Sequence, residues 1–230
     1  MFALTLSNPL VNPWNQWLRR VSTLLGNLVD LFASHVEGPS REEDAQLVKE
    51  ALAGDPGFEK LVRTYEQMVY RVAFRFLNDP VDSTDVAQEV FLRVHKALPR
   101  FRGDSSLSTW IYAITANLSR NAIRSRKNRE KVQVLAPKER DPDERPFWDR
   151  VADKGAISSA RALESKELRE VIQQALKTLP LDYQEAVILR DMEGLDYPEI
   201  AQVLNTNLGT VKSRIARGRA LLRESLKEWL

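Results

Sequence analysis

The chain has 230 residues, 43% of them hydrophobic, with 34 Lys and Arg against 32 Asp and Glu and no cysteine. That size and balance admit one or two domains with real cores. They exclude a fibre, global disorder, a disulfide framework, a thiolate zinc site and a cysteine nucleophile. The net charge of +2 conceals clustered cations, which points to local patches facing specific partners, and the missing cysteine fits a reducing, cytoplasmic setting.

Residues 1–38 open the chain with Trp14, Trp17, Leu18, Val21, Leu24, Leu25, Leu28, Leu31 and Phe32 at spacings of three and four, between Pro13 and Gly38. Such a stripe predicts an amphipathic helix. It could be an extra packed helix, a surface for a partner or an interfacial membrane helix. Arg19 and Arg20 are its only cations, too few for strong attraction to anionic lipid at about 1 kcal/mol each, which favours packing on protein. The segment has no charged leader or small-residue cleavage site, and Asn27 and Asp30 interrupt any spanning run, so it reads as neither signal peptide nor membrane span.

Helical periodicity then covers about 43–53, 57–78, 83–98, 106–128, 160–179, 182–192, 196–204 and 208–228, and no run alternates apolar with polar. An all-α protein is expected. In the 83–98 helix, with Asp82 or Ser83 as its expected cap, Val86, Val90 and Val94 form an apolar stripe. Asp85, Gln88, Glu89 and Arg93 lie on more polar faces. Alone, that helix would pass for a solvated one.

Phe101 to Tyr112 forms an aromatic and polar loop running into a helix that exits through Asn117, Arg120, Asn121, Arg124, Arg126, Lys127, Arg129 and Lys131. Aromatics beside a basic helix suit single-stranded nucleic acid, whose bases stack on rings or drop into pockets while cations hold the backbone. Trp110 and Tyr112 could instead be core residues, and at least one of them is expected to be, since Trp110, Ile114 and Leu118 share a stripe. Residues 129–158 follow, rich in charge and proline, and read as a flexible interdomain linker.

The C-terminal end reads as a helix-turn-helix. Asp196 can cap the first helix, with Pro198 in its first turn and Glu199 closing a capping box. Ile200, Ala201 and Leu204 supply its stripe, Asn205 to Asn207 make the turn, and Val211, Ile215 and Leu222 continue the inward face. The other face carries Lys212, Ser213, Arg214 and Arg217, followed by Arg219, Arg223 and Lys227. These are the donors with which a recognition helix reads the major groove and holds phosphates.

Enzyme chemistry finds little here. His35 and His95 stand far apart, and no Gly-rich phosphate loop, nucleophile elbow or metal-spaced cluster appears. No cofactor, metal or small-molecule substrate is expected.

Three motifs occur in order: Asp85-x-x-Gln88-Glu89-x-Phe91, Phe101-Arg102-Gly103-Asp104 with Thr109-Trp110-Ile111-Tyr112, and Leu195 to Arg214. Over about residues 41–228 the chain resembles a bacterial RNA polymerase sigma factor of the extracytoplasmic-function group. The resemblance implies a region 2-like domain over 39–128, the linker over 129–158 and a region 4-like domain over 159–230. It implies core polymerase, promoter DNA and an anti-sigma factor as partners, with membrane contact only through the last. Asp85, Gln88, Glu89, Phe91 and Arg93 would dock on the clamp helices of the polymerase's largest subunit. Phe101, Asp104, Trp110, Tyr112, Asn117, Arg120, Asn121 and Arg124 would open and trap the minus-10 element. Thr210, Lys212, Ser213, Arg214 and Arg217 would read the minus-35 duplex. Ala113 departs from the pattern, standing where related proteins often carry Arg.

About 30 extended linker residues reach roughly 100 Å, enough for two elements about 25 base pairs and so about 85 Å apart. A stand-alone regulator would explain the helix-turn-helix but not the aromatic-basic cluster. A sequestering adaptor would leave the recognition-helix cations without purpose.

Overall fold

The computed structural model describes residues 40–132 and 170–227, and these are helical with no strand among them. The amphipathic N-terminal stripe, His35 and most of the expected linker lie outside the described residues.

Helix α1, Arg41–Ala53, begins at a capping box. Ser40 Oγ accepts from the Glu43 N–H at 3.3 Å, and Glu43 Oε2 accepts from the Ser40 N–H at 2.7 Å. The backbone bond from Ser40 holds the Glu43 carboxyl below its ordinary range. Helix α2, Asp55–Leu77, starts two residues before the expected 57, with Pro56 in the first turn where its missing N–H costs nothing. Gly57 is a crossing point: a Cβ there would lie 2.0 Å from the Glu50 carbonyl oxygen. Asn78 ends α2 at φ 48, a left-handed cap that Asn tolerates.

Helix α3 is Pro80–Ala97, and its cap is Asp79 rather than Asp82 or Ser83. Asp79 accepts from the Val81 and Asp82 N–H groups at 3.0 Å each, Pro80 occupies the first turn, and Ser83 is buried with its hydroxyl donating back to the Asp79 carbonyl. The expected Val86, Val90 and Val94 stripe is buried. A 3-10 turn, Leu98–Arg100, leads through the aromatic loop to α4, Leu107–Val132, which runs four residues past the expected 128. Its inward face is Leu107, Ile111, Thr115 and Leu118, while Trp110 and Ile114 are only half buried at its edge.

The second group begins with α5, helical over 170–178, followed by α6, Leu181–Val187, which continues into a π-helical turn, Ile188–Met192. Glu193 N–H reaches back five residues to the Ile188 carbonyl at 3.0 Å. Helices α7, Tyr197–Val203, and α8, Leu208–Ser225, complete it. Leu176, Ile188, Leu189, Ile200, Val211 and Ile215 fill this half's core. The two groups pack together, with α7 against α4, and their buried apolar side chains form one continuous cluster.

Candidate nucleic-acid and polymerase interfaces

The helix-turn-helix has the caps its sequence predicts. Asp196 Oδ1 accepts from the Glu199 N–H at 2.7 Å and Glu199 Oε2 accepts from the Asp196 N–H at 2.8 Å. Asn205 turns the chain at φ 46, and Asn207 Oδ1 accepts the Thr210 N–H at 2.8 Å to start α8. Gly218 brings α8 against α6 so closely that a Cβ would stand 2.6 Å from Val187 Cγ2.

Lys212, Ser213 and Arg217 are exposed on one side of α8, with Ala216, Ala220 and Arg223 extending it. Thr210 is half buried, its carbonyl accepting the Ser213 hydroxyl at 2.9 Å. Arg214 is held by Asp182 at 2.7 Å and Arg219 by Asp191, with Arg219 Nε at 3.0 Å. Arg217 Nη1 lies 3.3 Å from the Tyr183 hydroxyl. Three of the basic residues, Arg214, Arg217 and Arg219, therefore also tie α8 to α6 and its π turn, a role their charge alone did not reveal.

In the first group, Ser106 Oγ accepts the Thr109 N–H at 3.1 Å and so caps α4. Phe101 and Trp110 pack ring to ring, centroids 5.1 Å apart and tilted by 44°, both half buried. Asp104 is exposed on the loop, and Asn117, Asn121 and Arg124 form an exposed row along α4. Two residues expected in this set face elsewhere. Tyr112 is buried, and Arg120 is half buried and turned to α6. Ala113 is partly buried against the core.

On α3, Asp85, Gln88 and Arg93 are exposed and Glu89 is half exposed, pairing with Arg93 at 2.8 Å. Phe91 packs against the core and supports this face from beneath. The structure adds two residues that sequence reasoning missed, Val81 and Leu92, 52% and 56% exposed on the same helix. The spacing of Val81, Asp85, Gln88 and Leu92 at four, three and four was the available signal. His95 is exposed with its ring edge against Phe58 at 4.8 Å. Among the described residues, no cluster of His, Asp or Glu could hold a metal ion.

The contact between the two groups is ionic at its centre. Glu193, its side chain 1% exposed, accepts from Arg71 at 3.0 Å, from the Tyr112 hydroxyl at 2.9 Å and from Arg75, which also donates to the Met192 carbonyl at 2.6 Å. Glu185, its side chain 0% exposed, takes both Nε and Nη2 of Arg120 at 2.6 Å each. Thr109 donates to Glu199 at 3.3 Å. Burial, then the Glu193 charge, pushes the Tyr112 phenol well above its ordinary value, so it stays a neutral donor. Burial pulls the Arg75 guanidinium down, against the pull of Glu193. The bond to Glu185 raises that of Arg120. Sequence reasoning found neither Glu185 nor Glu193. The signal was an acid at 185 immediately before the apolar run Ala186-Val187-Ile188-Leu189, since a carboxylate in a buried stretch needs a partner.

Two family models match this arrangement, Sigma-70 region 2 over residues 61–129 and Sigma-70 region 4 over 169–222. The RNA polymerase sigma-H factor of Pseudomonas aeruginosa is 35% identical over 83% of this chain and 97% of its own. The ECF RNA polymerase sigma-E factor of Escherichia coli is 34% identical over 76% of this chain and 90% of its own. Two solved structures share the fold at a TM-score of 0.55. CnrH, in complex with the cytosolic domain of CnrY, is 24% identical and covers 80% of this chain and 97% of its own. The sigma factor RpoE of Bartonella quintana, in complex with the anti-sigma factor NepR, is 22% identical and covers 74% and 96%. With its paired regions in this order and relatives aligned over nearly their whole length, the chain belongs to the extracytoplasmic-function group of RNA polymerase sigma factors.

Proposed function

We propose that this sigma factor binds core RNA polymerase through the exposed face of α3 and directs promoter-specific initiation by dividing DNA recognition between its two helical groups. Asp85, Gln88, Glu89 and Arg93, with Leu92 beside them, meet the polymerase clamp helices. Lys212, Ser213 and Arg217 reach into the minus-35 major groove, where cationic and hydroxyl donors read base edges and hold phosphates. Phe101, Trp110, Asn117, Asn121 and Arg124 take the opened minus-10 strand. The protein acts in the cytoplasm, no residue has a catalytic role, and an anti-sigma factor holds it inactive, a control supported by the anti-sigma partner of the Bartonella quintana relative.

The observation that carries the reading is the exposed row of Asn117, Asn121 and Arg124 beside the Phe101 and Trp110 ring pair. Extruding a base costs a few kcal/mol, which such a pocket must offset. Asn117→Ala with Asn121→Ala is expected to leave the closed promoter complex intact and to lose the open one, and a template with a pre-opened bubble restores initiation. If the bubble gives no rescue while circular dichroism shows the fold intact, these residues do not trap bases.

A further inference from the structure

The loop from Arg102 to Ser106, beside the Phe101 and Trp110 ring pair, has little support of its own. Arg102, Gly103 and Asp104 are exposed, Gly103 turns at φ 75 with no neighbour within 4 Å of where a Cβ would stand, and the Ser105 and Ser106 hydroxyls bond within residues 105–109. Its shape is therefore set at its ends. At the first, the Phe101 N–H donates to the Leu98 carbonyl at 3.0 Å. At the second, the Leu107 N–H donates to Asp44 Oδ2 at 2.7 Å, across 63 positions of sequence.

Asp44 is a costly way to satisfy one amide. It is 5% exposed, and its carboxylate bonds to two neutral groups, the Leu107 N–H and the Tyr65 hydroxyl at 2.8 Å. A buried carboxylate held by neutral partners carries a desolvation cost, and α4 already has a local cap in Ser106. What the arrangement adds is direction. The Ser40 and Glu43 capping box holds the first turn of α1, on which Asp44 sits, and the Tyr65 hydroxyl, from the middle of α2, fixes the rotation of the carboxylate.

We propose that Asp44, oriented by Tyr65, is a positioning residue for minus-10 recognition: it fixes the end of the Arg102 to Ser106 loop, so that the loop presents one shape to an extruded base. The proposal rests on the assignment of this loop and α4 to the minus-10 strand. Asp44 is buried and acts through Leu107 rather than by touching DNA. A loop held in one shape fits one base and refuses the others, whereas a loop free to rearrange adapts to each. Ring stacking and cation contacts to phosphates, by contrast, are indifferent to sequence. Loosening the loop therefore lowers discrimination between bases far more than affinity for the strand. A side chain that served stability alone would produce no such split in the folded protein.

The test uses holoenzyme assembled from core polymerase and the full chain. Its probe is a fluorescent single-stranded oligonucleotide carrying the nontemplate minus-10 sequence of a promoter from which that holoenzyme initiates, with each position in turn replaced by the other three bases. The wild-type chain should prefer its own base by about tenfold or more at the position read. Asp44→Ala, assayed at a temperature where circular dichroism shows it folded, is expected to lower that ratio about fivefold, since small misplacements of recognition groups have large effects, and to leave binding to a minus-35 duplex unchanged. Asp44→Asn should keep the ratio, because its amide oxygen accepts the Leu107 N–H while its NH2 donates to the Tyr65 oxygen. Tyr65→Phe, which frees the carboxylate to turn, should lower the ratio in the same direction and decides the matter if Asp44→Ala does not fold. A full ratio in the folded Asp44→Ala variant, or in Tyr65→Phe, overturns the proposal, as does a loss of minus-35 binding as large as the loss of discrimination. A wild-type chain that shows no preference at any position refutes the minus-10 assignment itself, whereas wild-type preference matched by Asp44→Ala rejects the positioning role alone.

Discussion

Tyr65 donates its hydroxyl to Asp44 Oδ1 at 2.8 Å, while the second carboxylate oxygen of Asp44 accepts the Leu107 N–H at 2.7 Å. One buried acid on α1 thus fixes both the middle of α2 and the first residue of α4, immediately after the loop that carries Phe101 and Asp104. Asp44→Ala strands a hydroxyl and an N–H, each costing about 1–3 kcal/mol when left buried. The variant should unfold at clearly lower urea concentration, whereas Asp44→Asn, which keeps an acceptor, loses less. Equal stability for all three proteins would show that Asp44 does not fasten these helices.

Gly218 marks the closest approach of α8 to α6, with a substituted Cβ 2.6 Å from Val187 Cγ2 and 3.2 Å from the Tyr183 carbonyl oxygen. Gly218→Ala is expected to destabilise the second half by about 1–3 kcal/mol through overpacking. Hydrogen exchange of α6 to α8 should speed up while α1 to α3 keep their protection. Uniform protection across both halves would contradict the crossing.

Lys212 is exposed, but Arg214 is tied to Asp182. Lys212→Ala should weaken binding to a minus-35 duplex by about 1–3 kcal/mol while leaving thermal stability within about 0.5 kcal/mol of wild type. Arg214→Ala lowers both. Fluorescence anisotropy and thermal unfolding separate the two, and a Lys212 variant with full affinity removes that residue from the groove.

Glu89 and Arg93 form an exposed pair one helical turn apart, of a kind worth only about 0.3–0.5 kcal/mol. Glu89→Arg therefore spares the fold but reverses the charge of the docking face. It should fail to co-elute with core polymerase. Co-elution at wild-type affinity would move the docking surface elsewhere.

Burial and the bond to Asp44 raise the Tyr65 phenol, and burial and Glu193 raise that of Tyr112. A raised folded pKa means stability present below the unfolded value of about 10 and lost as pH climbs past it, because the unfolded chain then releases protons that the native one keeps. The urea midpoint should fall between pH 8 and pH 11. Tyr65→Phe with Tyr112→Phe should flatten that fall, and an unchanged slope would show that these phenols ionise freely in the native state.

Local chemistry was legible in the sequence wherever short-range rules decide. The capping box at Asp196 and Glu199, the turn at Asn205 to Asn207 and the Val86, Val90, Val94 stripe depend on neighbours a few residues away, and each appears as expected. Asp79 was missed as the cap of α3 because the helix starts at Pro80, three residues ahead of the apolar periodicity from which 83–98 was expected. Gly57 and Gly218 are legible as glycines but not as crossings, since only the partner helix shows what a Cβ would meet. The ionic contact between the two helical groups was out of reach for the same reason. Arg71 and Glu193 are separated by 122 positions, and no periodicity connects them.

The most direct test of the account is transcription by purified core polymerase on a library of fragments from the source genome, with and without this protein. Discrete start sites that appear only with the protein, share a minus-35 and a minus-10 sequence, and vanish with Glu89→Arg are the predicted result. Start sites that do not change when the protein is added, despite its demonstrated binding to core, would contradict it.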